Sequence, residues 1–284
     1  MVGVRGRRFW LLIAVVALLV LATLPVSAIT NGELDGEDHP HVVLVVADAP
    51  TADDPDDGWR CTGTMLSPTV VLTAGHCVSA FPDENPDGSQ VLVTGMRIFP
   101  ASDVQKAIDE GTTNYPEAGA DSIEAVSWAA HPEYEDAPFF VHDVGVITLE
   151  APGLVLDEYG VMPTVDEFDS LKKRKQSVFT AVGYGLQQIN GAFFTGERVR
   201  MVAEPHLIQI NTPGFTGDYS LLLSNNHSTG GTCFGDSGGP NFWADTNVVA
   251  GVTSFGLNGS CGGTGGVFRM DRQNVLDFVN AYLP

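Results

Sequence analysis

Gly235-Asp236-Ser237-Gly238-Gly239-Pro240 sets a serine among glycines. Such a serine can lie on a tight turn, where the backbone approaches a substrate closely and its N–H groups face one spot. That is the setting of a nucleophile, and a serine nucleophile needs a base to take its proton. No histidine follows Ser237, so the base must come from upstream, among His39, His41, His76, His131, His142, His206 and His227. His76 stands out in Leu72-Thr73-Ala74-Gly75-His76-Cys77, directly after an apolar run and beside a cysteine. Asp143, in His142-Asp143-Val144-Gly145-Val146-Ile147, is an acid at the mouth of a strong apolar run. A carboxylate there is costly without a partner, and a histidine able to become cationic would be one.

The serine string alone also fits the G-x-S-x-G elbow of α/β-hydrolases, but in that arrangement the base histidine follows the serine. The chain order here excludes it. Thr73-Ala74-Gly75-His76-Cys77, Asp143-Val144-Gly145-Val146 and Gly235-Asp236-Ser237-Gly238-Gly239-Pro240 instead resemble the three active-site blocks of chymotrypsin/trypsin-like serine proteases, in the same His…Asp…Ser order. The spacings of 67 and 94 residues suit two barrels. The resemblance spans Ile29 to Pro284. It implies that Ser237 attacks a peptide carbonyl, that His76 moves the proton and that Asp143 orients His76. The N–H groups of Gly235 and Ser237 would form the oxyanion hole. The implied substrate is a polypeptide, with no metal or organic cofactor.

The same resemblance pairs Cys61 with Cys77 beside the base, and Cys233 with Cys261 across the specificity pocket. The first bridge would close a loop of about 15 residues, stabilising the fold by roughly 3 kcal/mol in a chain-entropy account. The pocket floor falls at Gly231, where enzymes that cut after Arg or Lys carry an aspartate. Thr232 beside it is uncharged as well, and glycines at 256 and 266 leave the slot open. An open, uncharged slot favours a large apolar or aromatic side chain, unless Asp218 or Asp245 reaches in. Ser254-Phe255-Gly256 resembles the edge that pairs with the substrate backbone, with Phe234 on the rim. Ile29-Thr30-Asn31-Gly32 resembles the family's mature start, whose new amino group pairs with the acid before the serine, here Asp236.

These residues need elements to hold them. Short apolar, β-branched runs recur between Gly, Pro and Asp, at 41–46, 69–73, 91–93, 144–149, 177–182, 206–210, 248–252 and 266–268. They predict strands without alternating helices, hence an all-β fold, here two packed antiparallel six-stranded β-barrels. One helix is predicted over 272–283, capped by Asp271, and a short surface helix over 102–110. The expected division is a leader over 1–28, an N-terminal barrel over 29–155 carrying His76 and Asp143, and a C-terminal barrel over 156–284 carrying Ser237 and the pocket. Lys172-Lys173-Arg174-Lys175 reads as a solvated face. Asp83-Glu84-Asn85-Pro86-Asp87-Gly88 matches the front of a calcium loop, but position twelve is Thr94 and a strand follows. It reads as an acidic turn, with calcium as the alternative.

Composition bounds the rest. With 14 Lys+Arg against 35 Asp+Glu, the chain carries a formal charge of −21. That argues against nucleic acid and anionic lipid as partners. Hydrophobic residues at 44% against 17% charged exclude a disordered chain. Arg5, Arg7 and Arg8 precede the apolar run Phe9–Leu24, and Val26-Ser27-Ala28 closes it. This is the pattern of a secretory signal cleaved after Ala28. A secreted, soluble protein with two disulfides is expected. The alternatives to a secreted serine endopeptidase are a catalytically silent binding module of this fold and an esterase built on it. Oligomeric state is not legible.

Overall fold

The computed structural model describes residues 28–51, 54, 56–79, 81–84, 90–135, 140–172, 174–190 and 192–284. The leader and the heart of the acidic 83–88 turn lie outside the described residues. Six strands close a first antiparallel barrel: β1 (Val42–Asp48), β2 (Gly58–Ser67), β3 (Val70–Thr73), β4 (Gly95–Phe99), β5 (Ile123–Ala130) and β6 (Gly145–Leu149). The ring runs β1-β2-β3-β6-β5-β4 and returns to β1, with Val45 opposite both Cys61 and Ile98. A second ring is formed by β7 (Arg174–Gly183), β8 (His206–Thr212), β9 (Gly217–Asn225), β10 (Pro240–Trp243), β11 (Val249–Gly256) and β12 (Gly263–Arg269). Its order is β7-β8-β9-β12-β11-β10, and pairing of Phe179 with Trp243 closes it.

The two-residue side-chain period explains why these strands are apolar runs. In β1, Val43, Val45 and Ala47 point into the first barrel's own core. Val42, Leu44 and Val46 point the other way, into a core that also holds Val182, Phe242, Val252 and Phe268 of the second barrel. A strand buried on both faces cannot alternate apolar with polar. The interface between the barrels is therefore a continuous hydrophobic layer, and the site sits at its edge.

The N-terminal segment crosses to the second barrel, where Glu33–Leu34 pairs with Met201–Ala203 beside β7. Ile29 is fully buried against Ala181, Met201 and Ala203. The helices are α1 (Gly75–Val78), α2 (Val104–Glu110), capped by Asp103 on Lys106 N, and α3 (Gln273–Asn280). Val275 and Val279 anchor α3 at i, i+4 spacing. Asp271 is not its cap. Arg272 holds the cap position without a side-chain bond. The buried Asp271 carboxylate instead accepts from Arg269 Nε at 2.9 Å and from Phe168 N at 2.9 Å. A guanidinium two residues away satisfied it first, as a buried carboxylate requires. No helix among the described residues is long and apolar enough to cross a membrane.

Candidate active site

Asp143 lies just before β6 and is fully buried. Its carboxylate accepts from His76 Nδ1 at 2.9 Å and from His76 N at 2.9 Å. It also accepts from Ser254 Oγ at 2.5 Å. Three donors stabilise the charged carboxylate where water cannot reach it. Because the carboxylate only accepts, Nδ1 of His76 carries the hydrogen and Nε2 the lone pair. Burial opposes charging His76, but the charge of Asp143 and its hydrogen bond outweigh that, and the pKa is raised above 6.5. Ser254 is a partner that sequence reasoning assigned to the substrate edge. Nothing in its local string signals contact with an acid 111 positions away.

His76 and Ser237 line one cavity of about 670 Å³. The turn carrying Ser237 is set by its neighbours. Gly235 has φ +94° and Gly238 has φ +77°, a region that side chains disfavour. A Cβ on Gly238 would also stand 2.6 Å from Thr62 O, so glycine lets the two barrels close at this point. Thr62 N donates to Ser237 O at 2.8 Å and Thr62 Oγ1 to Gly235 O at 2.9 Å. Among the described residues, the N–H groups of Gly235 and Ser237 have no protein acceptor. Two free amides beside a serine are what an oxyanion site requires.

Asp236 is fully buried, with its carboxylate accepting from Gly185 N at 2.7 Å and Cys233 N at 2.8 Å. Burial pushes its carboxyl up to about 7, against the pull of those two amides and of Arg60. Ile29 and Asp236 are thus both buried in the second barrel. The cysteines join as Cys61–Cys77 and Cys233–Cys261, with Cα separations of 6.2 and 5.2 Å.

The slot differs from its expected outline. Thr232, Ser254, Phe255 and Gly256 line it, whereas Gly231 and Gly266 do not. A Cβ on Gly231 would lie 2.6 Å from Asn225 Cβ, so Asn225 fills the space expected to be the floor. Asn225 lines the cavity instead and is 2% exposed. Its Oδ1 accepts from Thr30 Oγ1 at 2.7 Å and its Nδ2 donates to Thr232 O at 2.6 Å. Its polar atoms are therefore engaged within the protein. A Cβ on Gly266 would lie within 2.5 Å of three atoms of the Phe255 ring, so that glycine accommodates Phe255 rather than opening the slot. No Asp or Glu lines the cavity among the described residues, and Asp218 lines a separate cleft beside Arg272.

Two groups have metal-ligand residue types. Cys61, His76 and Cys77 offer no thiolate, because both cysteines are in a disulfide. In the His131, Glu133 and His142 group, His131 Nδ1 accepts from Glu133 N at 3.1 Å, and its ring also bonds the Asn274 backbone. Both its nitrogens are occupied, which leaves too few free ligands for a closed site.

The trypsin family model matches residues 35–279. The chain is 29% identical over 237 residues to a trypsin of Saccharopolyspora erythraea, covering 82% of this chain and 88% of that one. It is 27% identical over 212 residues to a brachyurin of Leptuca pugilator, covering 72% and 80%. The solved structure of HL collagenase shares the fold with a TM-score of 0.64 at 19% identity, covering 89% of this chain and 97% of that one. A thermostable serine protease, AL20, gives 0.58 at 18% identity, covering 86% and 97%. With the fold, the family match and the buried Asp143–His76 pair in agreement, the chain belongs to the trypsin family and is a serine endopeptidase.

Proposed function

We propose that this chain is a secreted endopeptidase that works through Ser237, His76 and Asp143 and prefers an apolar or aromatic residue before the scissile bond. The carrying observation is the buried Asp143 carboxylate bonded to His76 Nδ1, with His76 and Ser237 on one cavity wall. Ser237 Oγ bonds to the scissile carbonyl carbon as its proton moves to His76 Nε2. The carbonyl oxygen becomes an oxyanion held by the Gly235 and Ser237 amides. His76 then returns the proton to the leaving nitrogen, and the C–N bond breaks to leave an acyl-enzyme. Water repeats the sequence and frees the acid. A serine-directed organophosphate should label the wild type and not Ser237→Ala, and the wild type should digest casein. Labelling without proteolysis would favour an esterase, and absence of labelling a silent binding module.

The base must be neutral to act, so activity should fall in acid with a midpoint above 6.5, the side to which Asp143 moves His76. In Asp143→Asn the acid limb should shift to lower pH as the carboxylate is lost. A pH profile of kcat/KM on one peptide checks both, and an unshifted limb would dissociate Asp143 from the base.

Specificity follows from the slot. A guanidinium entering it would meet no carboxylate among the described residues, and Thr30 and Thr232 already engage the Asn225 amide. Burying an unpaired cation is costly. Peptides with Phe, Tyr or Leu before the scissile bond should exceed Arg and Lys peptides by about tenfold or more in kcat/KM. Library profiling that returned Arg first would overturn the assignment.

A further inference from the structure

Arg60 lies on β2, one residue before Cys61, and lines the same cavity as His76 and Ser237. Its surroundings are unusual for this chain. Arg97, Arg200, Arg269 and Arg272 each form an ion pair with a carboxylate. Among the described residues, Arg60 and Arg198 do not, although the chain carries a net charge of −21. Instead both guanidiniums donate to one carbonyl, Gly196 O, at 3.0 Å each. They also share the Tyr115 side chain. Burial, and then the neighbouring charge of Arg198, lower the pKa of Arg60, while Tyr115 and Asp236 oppose them. Two like charges held together, with Asp236 acting on Arg60 but no carboxylate in ion-pair contact with either among the described residues, are an electrostatic cost.

Position gives this pair a use. A Cβ on Gly235 would lie 3.2 Å from Arg60 Nε, so the Arg60 side chain packs beside Gly235, which carries one of the two free amides. The slot lies at the other end. A Cβ on Gly265, the strand partner of Gly256, would lie 3.1 Å from Thr232 Oγ1, and Asn225 bonds Thr232. If Ser254–Gly256 holds the residues before the scissile bond, Arg60 faces the residues after it.

We propose that Arg60, backed by Arg198, binds a carboxylate of the leaving-group side, so that the enzyme favours substrates with Asp or Glu in the first two positions after the scissile bond. The inference rests on Ser237 being the nucleophile, which orients the cleft. Arg suits the role because its planar fork accepts a carboxylate in two parallel bonds, and it keeps its charge when half-buried. Arg198 is the positioning residue: it repels Arg60 toward the cavity and shares its anchor.

The test uses the mature chain and peptides of one sequence before the scissile bond. After it they carry Glu, Gln or Lys at the first or second position with an amidated end, or two alanines ending in a free carboxylate. Glu should exceed Gln by about tenfold in kcat/KM, the size of one charge-assisted bond partly open to water. The gain should shrink with rising salt. A gain only for the free-ended dialanine peptide would assign the same contact to a chain terminus. In Arg60→Gln the Glu/Gln ratio should fall to about 1. Binding of the uncut Glu and Gln peptides to Ser237→Ala, measured by calorimetry, gives the same comparison without turnover. A binding preference lost in Ser237→Ala/Arg60→Gln would sustain this site even if the wild type cut nothing. Equal kcat/KM and equal binding for all carboxylate and neutral peptides, or a Glu preference that survives Arg60→Gln, would overturn it while leaving the endopeptidase intact.

Discussion

Ser237→Ala is expected to lower kcat for peptide hydrolysis by about 10⁶-fold, His76→Ala by a similar amount, and Asp143→Asn by about 10⁴-fold. The double variant Ser237→Ala/His76→Ala should be little worse than either single one, because nucleophile and base act as a unit. Stability should separate the three. No described hydrogen bond uses the Ser237 hydroxyl, so its loss should leave the melting temperature nearly unchanged. His76→Ala takes the ring donor Nδ1 from a fully buried carboxylate and leaves it the backbone N–H of position 76 and the Ser254 hydroxyl. That is a recognised route to a destabilisation of a few kcal/mol. Calorimetry with single-turnover kinetics checks both. Near wild-type turnover in His76→Ala would show that another group takes the serine proton.

Blocking the Ala28–Ile29 cut, or leaving one extra residue before Ile29, should give a folded chain about 100- to 1000-fold less active, as when an oxyanion donor is lost. Ile29 has φ +47°, a left-handed conformation that is costly for a β-branched residue, by about 1–3 kcal/mol. Once the preceding carbonyl is gone, that torsion is no longer constrained. The new ammonium would then supply the partner that buried Asp236 lacks among the described side chains. Thr30 bonds Asn225, which bonds Thr232, so order at this end passes directly to the slot.

The pH dependence has a definite sign. A carboxyl raised from 3.8 to about 7 by burial binds its proton more tightly folded than unfolded. The uncut chain should therefore lose stability as pH rises from about 4 to 7. The cut chain, with Asp236 paired, should lose much less, and Asp236→Asn should remove the difference and the activity together. N-terminal sequencing should read Ile-Thr-Asn-Gly. Full activity in the extended chain would show that another contact orders the amides.

Much of this was legible in the residues alone, because it rests on local strings. His76, Asp143 and Ser237 announce themselves by neighbours within five positions, and so do the cysteines beside them. The runs that became β1, β3 and β6 are continuous apolar stretches because both their faces are buried. Strands such as Ile123–Ala130 and Gly217–Asn225 did not stand out, since they mix polar and apolar residues: the first exposes Glu124, Val126 and Ser127, and the second buries the polar Ser220, Ser224 and Asn225.

What only the tertiary structure decided concerns space and partners. A glycine's string says that it lacks a side chain, not what occupies the vacancy. Asn225 fills it at Gly231 and the Phe255 ring at Gly266. Likewise, Asp271 looked like a helix cap until Arg269 and Phe168 N were seen to hold it. Ser254 lines the cavity as its string implied, but only the fold brings its hydroxyl to Asp143. Chemistry that depends on which residue types occur is written along the chain. The shape of a slot and the partner of a buried charge depend on strands brought together from distant positions, and the packing of two barrels sets them.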